Sequence, residues 1–78
     1  MMQLLKFYAD WCGPCKEQSR ILEDFDSIPV KEIDIEEEGD LANKYNVRSI
    51  PTLILEDEGE IVENFVGITD IEEIQESI

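Results

Sequence analysis

Trp11-Cys12-Gly13-Pro14-Cys15 lies between an apolar run, Gln3 to Tyr8, and a stretch with helical periodicity that begins at Cys15. The run before the pentapeptide carries Leu4, Leu5, Phe7 and Tyr8 and reads as a buried strand. Ala9 to Pro14 reads as loop and turn. Beyond Cys15, Ile21, Leu22 and Phe25 share one helical face, with Lys16, Glu17, Arg20 and Glu23 outside it. A strand, a turn and a helix therefore place both cysteines at the mouth of a helix. The first N–H groups there have no partner within the helix and carry partial positive charge. A thiolate is stabilised over a thiol at such a position, so its pKa falls below the ordinary value of about 8.5. Pro14 suits a first turn because its missing N–H would be unpaired anyway. Gly13 permits tight backbone geometry and close approach of a substrate. The spacing lets the two sulfurs bond with little backbone movement.

Pro29 ends the helical stretch, and Val30, Ile33 and Ile35 mark a second strand that breaks into Glu36-Glu37-Glu38-Gly39. Asp40 is placed to cap a short helix with Leu41 and Tyr45 on its inner face. Pro51 precedes a third strand, Thr52 to Leu55, and Asp57-Glu58-Gly59 is a hairpin signal before a returning strand, Ile61 to Val66. Thr69 with Glu72 fits a capping box for a final helix faced by Ile71, Ile74 and Ile78. The order is β-α-β-α-β-β-α. Strands separated by helices pair in parallel and the hairpin pairs antiparallel. The expected fold is α/β: a four-stranded mixed sheet with helices on both faces, residues 1–78 forming a single domain.

Composition narrows the functions. Hydrophobic residues are 42% and charged residues 33% of the 78, a globular mix rather than a disordered one. No apolar run approaches the roughly 18 residues that span a bilayer. Met1 to Phe7 leads straight into the motif and does not read as a signal peptide, so a cytoplasmic location is expected. Six Lys and Arg against twenty Asp and Glu give a formal net charge of −14. Such a surface repels phosphate backbones and anionic lipid, so neither nucleic acid nor membrane is an expected partner. Two cysteines and no histidine fall short of the four ligands that zinc normally takes. No metal or other cofactor is therefore expected, a metal shared between two chains being the one arrangement left open. A structural disulfide would close a loop of only four residues and remove little unfolded-state entropy. Redox chemistry is what remains.

The full pentapeptide resembles the active site of the thioredoxin family. The resemblance extends to Phe7-Tyr8-Ala9-Asp10, similar to the strand end that leads into the family motif. Lys44 to Thr52 is similar to the family stretch that ends at its cis-proline, and Phe65-Val66-Gly67 to the strand and glycine that close the active-site surface. What lacks a counterpart is the family's first strand and first helix, so the chain looks like a minimal, glutaredoxin-sized version.

The resemblance implies a thiol–disulfide oxidoreductase acting on protein disulfides. Cys12 would be the exposed nucleophile and Cys15 the more buried thiol that resolves the mixed disulfide, the two forming the redox-active disulfide. A thioredoxin reductase or other dithiol donor would reset the pair, and a monomer is expected. The Ile50–Pro51 bond would be cis, setting the Ile50 backbone beside the cysteines to pair with an extended substrate. Trp11, Gly13, Pro14, Ile50, Pro51 and Gly67 would bind substrate, and Tyr8 would serve packing rather than catalysis.

One departure stands out. The family's buried aspartate beneath the second cysteine, credited with proton transfer, corresponds here to Lys6. Two readings of Lys6 stand. Its stem lies along apolar surface with the ammonium in water, or the ammonium sits near the sulfurs, favours thiolate and makes the disulfide more oxidising. Asp10, beside the motif, would oppose that effect or relay a proton. Two other functions compete. A glutathione-linked glutaredoxin fits the size, but Gly13-Pro14 stands where glutaredoxins carry Pro-Tyr. A thioredoxin-like assembly subunit would leave the thiols incidental. An oxidase or isomerase role would depend on the reduction potential.

The charge carries a prediction of its own. Like charges crowded on a small body destabilise the compact state, and salt near 1 M shortens the screening length to about 3 Å. Two readings of this surface stand: an ordinary solvated acidic face, or adaptation to a salty cytoplasm. Thermal melts in rising KCl are expected to shift upward by several degrees; a flat or falling midpoint counts against the second reading.

Overall fold

The apolar run Gln3 to Tyr8 forms one of the two central strands of the sheet. In the computed structural model, which describes residues 1–78, β1 spans Met2–Tyr8 and is followed by α1 (Gly13–Leu22), β2 (Val30–Asp34), α2 (Gly39–Lys44), β3 (Thr52–Asp57), β4 (Glu60–Val66) and α3 (Ile71–Glu76). The four strands lie in the order β2-β1-β3-β4. β1 pairs in parallel with β2 and antiparallel with β3, and β3 pairs antiparallel with β4. The order of elements and the mixed sheet are those expected from the sequence.

Both faces of β1 are covered, which is why Leu4 to Phe7 is buried at every position instead of alternating. Leu4 joins Leu53, Leu55 and Phe65 against Leu22, Phe25 and Ile74, so α1 and α3 cover one face. Leu5 and Phe7 join Ile33 and Ile54 against Ala42, so α2 covers the other. The pairs Tyr8↔Asp34, Phe7↔Thr52 and Thr52↔Val66 bring the C-terminal ends of β1, β2 and β4 and the start of β3 to one end of the sheet. That end holds the pentapeptide.

Local expectations change where tertiary contacts compete. α1 ends at Leu22, well before Pro29, and Phe25 reaches the core from the turn beyond it. Glu38, not Asp40, precedes α2; Asp40 lies in its first turn. The capping box does not form. Asp70 is the N-cap of α3 without a side-chain bond, and the Thr69 hydroxyl donates to the Gly67 carbonyl at 3.0 Å. Thr69 is instead buried and held by Gln18 of α1, whose amide donates to the Thr69 carbonyl at 2.9 Å and accepts its N–H at 2.7 Å. The hairpin turn forms where expected, with Glu58 and Gly59 at φ 54° and 83°. Positive φ at both central residues matches the twist of the flanking strands.

On the α2 face a buried polar group is fully satisfied. The Glu56 carboxylate accepts the Tyr45 hydroxyl at 2.7 Å and the Gln3 amide. The bond to Glu56 and the partial burial of the ring, which packs 5.7 Å from Phe7, raise the Tyr45 pKa above 10.0. The neutral phenol is the form the fold favours, so this stabilisation is present below pH 10 and is lost as pH rises through the raised value. Urea melts of the native chain are expected to weaken on that alkaline limb. Tyr45→Phe should be less stable by roughly 1 kcal/mol at neutral pH and show a shallower alkaline loss; an unchanged slope would remove Tyr45 from the account.

Candidate active site

The turn after β1 carries the chemistry to the helix. The Cys12 N–H donates to the Ala9 carbonyl at 3.1 Å, closing the turn, and the Cys12 carbonyl accepts the Lys16 N–H at 3.3 Å as α1 begins. Cys12 is the N-cap of α1, in extended conformation, with Pro14 in the first turn. Its sulfur occupies the place a serine or aspartate oxygen usually takes, accepting the Cys15 N–H at 3.1 Å. The sulfurs of Cys12 and Cys15 are bonded, their Cα atoms 5.2 Å apart.

Cys12 was expected to be exposed. It is 4% exposed against 2% for Cys15. The reason is local: the disulfide and the cap draw the Cys12 sulfur onto the helix, where it packs with Ala9 and Cys15 against Tyr8, Ile35 and Ile50. That cluster also brings Ile50 to the cysteines from a loop distant in sequence. The Ile50–Pro51 bond is cis, the form the resemblance implies. Neither backbone group of Ile50 is bonded to another backbone group of the chain. Thr52 steadies this loop by donating its hydroxyl to the Ser49 carbonyl at 2.7 Å.

Gly67 adjoins the same place, its N–H donating to the Pro51 carbonyl at 2.9 Å. Its φ of +89° is a conformation that side chains rarely adopt. Trp11 is two-thirds exposed, and Gly13 and Pro14 are open to solvent at the helix start. Val66 and Ile68, which flank Gly67, are exposed and apolar, and neither was among the residues expected to bind substrate. Strand alternation was the available signal, since Val66 must point away from the face that buries Phe65.

Lys6 departs from the reading that leaves its ammonium in water. It is 2% exposed and among the largest fully buried side chains. Its ammonium bonds the Ser19 hydroxyl, lies 3.8 Å from a Glu32 carboxylate oxygen on the neighbouring strand and sits 5.1 Å from the Tyr8 ring centre. β1 points Lys6 toward α1, and Ser19 lies one turn beyond Cys15, so these partners hold the ammonium inside. Lys6 lines a cleft of about 140 Å³ together with Cys15, Asp10 and Lys16. Burial of the Tyr8 ring, followed by the carboxylates of Asp34, Asp10, Glu32 and Glu37, raises the Tyr8 pKa.

A disulfide thus stands at a helix N-terminus beside a cis-proline loop. The Thioredoxin family model matches residues 1–78, the whole chain. The chain belongs to the thioredoxin family. It is 41% identical over 80 residues to thioredoxin of Bacillus subtilis, an alignment covering 96% of this chain and 77% of that protein. Thioredoxin of Chlamydia trachomatis is also 41% identical, over 71 residues, covering 86% of this chain and 70% of its own length. A solved thioredoxin of Halobacterium salinarum NRC-1, carrying one Asn-to-Gln substitution, superposes with a TM-score of 0.87 at 40% identity, over 96% of this chain and 69% of that one. The fold is thioredoxin-like, and the chain is a thiol–disulfide oxidoreductase of the protein disulfide reductase type. These relatives favour that function over the glutaredoxin alternative. Disulfide-bonded proteins are its general class of substrate, and a reductase its class of electron source. No helix is long and apolar enough to cross a membrane.

Proposed function

We propose that residues 1–78 act as one redox domain, a monomer in the cytoplasm, in which Cys12 is the nucleophile and Cys15 the resolving thiol. The Cys15 N–H bonded to the Cys12 sulfur carries this reading. In the reduced protein the same donor and the helix N-terminus face a Cys12 thiolate, which is the attacking species. That thiolate attacks one sulfur of a target disulfide; the target S–S bond breaks and a mixed disulfide forms as one target thiolate leaves. The Cys15 thiolate then attacks the Cys12 sulfur and releases the second target thiolate. Two electrons pass to the target, which takes up two protons as its thiols form. A thioredoxin reductase or another dithiol donor returns two electrons to the Cys12–Cys15 bond.

The docking surface in this reading is Trp11, Gly13 and Pro14 on one side and Ile50, Pro51 and Gly67 on the other, with Val66 and Ile68 extending its apolar area. The open backbone of Ile50 pairs with an extended target segment.

Cys12→Ser is expected to abolish reduction of DTNB and of insulin disulfides. Cys15→Ser should retain the first step and accumulate a mixed disulfide, seen by mass spectrometry. Reactivity kept by Cys12→Ser and lost by Cys15→Ser would reverse the assignment.

Lys6 tunes this couple. A buried ammonium lining the Cys15 cleft favours thiolate, hence the reduced state. Lys6→Met is expected to shift the equilibrium with glutathione toward the disulfide several-fold. Asp10→Asn should shift it the other way, because Asp10 lines the same cleft and carries the opposite charge. Equilibria unmoved by either substitution would make both residues structural.

A further inference from the structure

We infer that Gln18 is a positioning residue that ties the cysteine-bearing helix to the substrate groove, so that both hold one geometry when a protein disulfide docks; this rests on the docking surface proposed above. Gln18 lies three residues beyond Cys15 in α1, so the two side chains share a helix face. It is fully buried, yet it touches neither sulfur through a hydrogen bond. Both ends of its amide are spent on one residue across the fold, accepting the Thr69 N–H at 2.7 Å and donating to the Thr69 carbonyl at 2.9 Å. Two further bonds carry this anchorage to the groove. The Thr69 hydroxyl donates to the Gly67 carbonyl at 3.0 Å, and the Gly67 N–H donates to the Pro51 carbonyl at 2.9 Å. Ile50, next to Pro51, packs on the sulfur cluster. The circuit from Cys15 through Gln18, Thr69, Gly67 and Pro51 thus returns to the cysteines.

Space alone does not call for an amide here. A leucine or methionine would fill this buried position without desolvating a polar group. What an apolar residue cannot supply is a partner for both backbone groups of Thr69, which is itself buried. Left unpaired, those groups would turn toward water. The segment that moves with them carries Gly67 and Ile68, part of the proposed docking surface. Small disulfides need only the Cys12 sulfur, whereas protein disulfides need the groove in register with it. Gln18 therefore acts on the affinity for extended targets rather than on the thiol.

The test compares Gln18→Leu with the native protein on insulin disulfides and on DTNB, with circular dichroism confirming the fold. The expected result is a KM for insulin raised about tenfold, with kcat and the DTNB rate changed less than twofold. Gln18→Glu, which keeps the acceptor for the Thr69 N–H, should fall between the two and serves where the leucine variant does not fold. Its KM relative to native should improve as pH falls, because a protonated carboxyl can again donate to the Thr69 carbonyl. An unchanged insulin KM, or equal losses on both substrates, would overturn the inference. A native protein inert toward both substrates would instead overturn the redox reading beneath it.

Discussion

A sulfur stands where a helix cap belongs, and the rest of the site is arranged around it. A helix start leaves N–H groups that must find an acceptor, and here Cys12 meets one of them. The bond serves two states of the molecule. With the disulfide formed, it seats the Cys12 sulfur against α1; with the disulfide reduced, the same N–H faces a sulfur that can carry negative charge. In the proposed mechanism, stabilisation of the helix and activation of the thiol are one interaction, so a residue that capped α1 equally well without sulfur would preserve the fold and lose the chemistry.

That interaction is useful only where a target can reach it, and the sheet arranges this. The ends of β1, β2 and β4 and the start of β3 converge at one edge of the molecule. Four connections therefore meet there: the turn carrying the cysteines, the turn after β2 that brings Ile35 to them, the loop ending at Pro51 and the segment after β4. They belong to different parts of the chain and share no local sequence logic. Their proximity follows from the strand order and from the Gly67–Pro51 and Gln18–Thr69 bonds. A small core suffices because β1 and β3 are buried on both faces.

Charge is distributed in an instructive way. The chain carries only six lysines and arginines, and one of them, Lys6, is taken wholly into the interior. Its carboxylate partner, Glu32, remains more than half exposed, so water screens that pairing from one side. The ammonium depends on Ser19 and the Tyr8 ring as well. A charged group with three protein partners, in the cleft that Cys15 lines, differs in kind from the solvated carboxylates that dominate the surface.

Most of the architecture was legible without coordinates because apolar periodicity and turn chemistry are local. The run Leu4 to Phe7, the Glu58-Gly59 turn and the strand–turn–helix around Cys12 each declare themselves within a few residues. The cysteine pair and the site loops around Pro51 and Gly67 were equally readable, through the pentapeptide and the family resemblance it supports. What tertiary structure decided was burial and partnership across distance. Lys6 looks like a surface lysine until Ser19 and Glu32 close over it, and Gln18 looks like a solvated helix residue until Thr69 meets both ends of its amide. Thr69 itself has the sequence of a helix cap and spends its backbone elsewhere. Local patterns specify which bonds a segment needs, but only the packed chain determines which distant group supplies them, because that choice depends on what the sheet brings within about 3 Å.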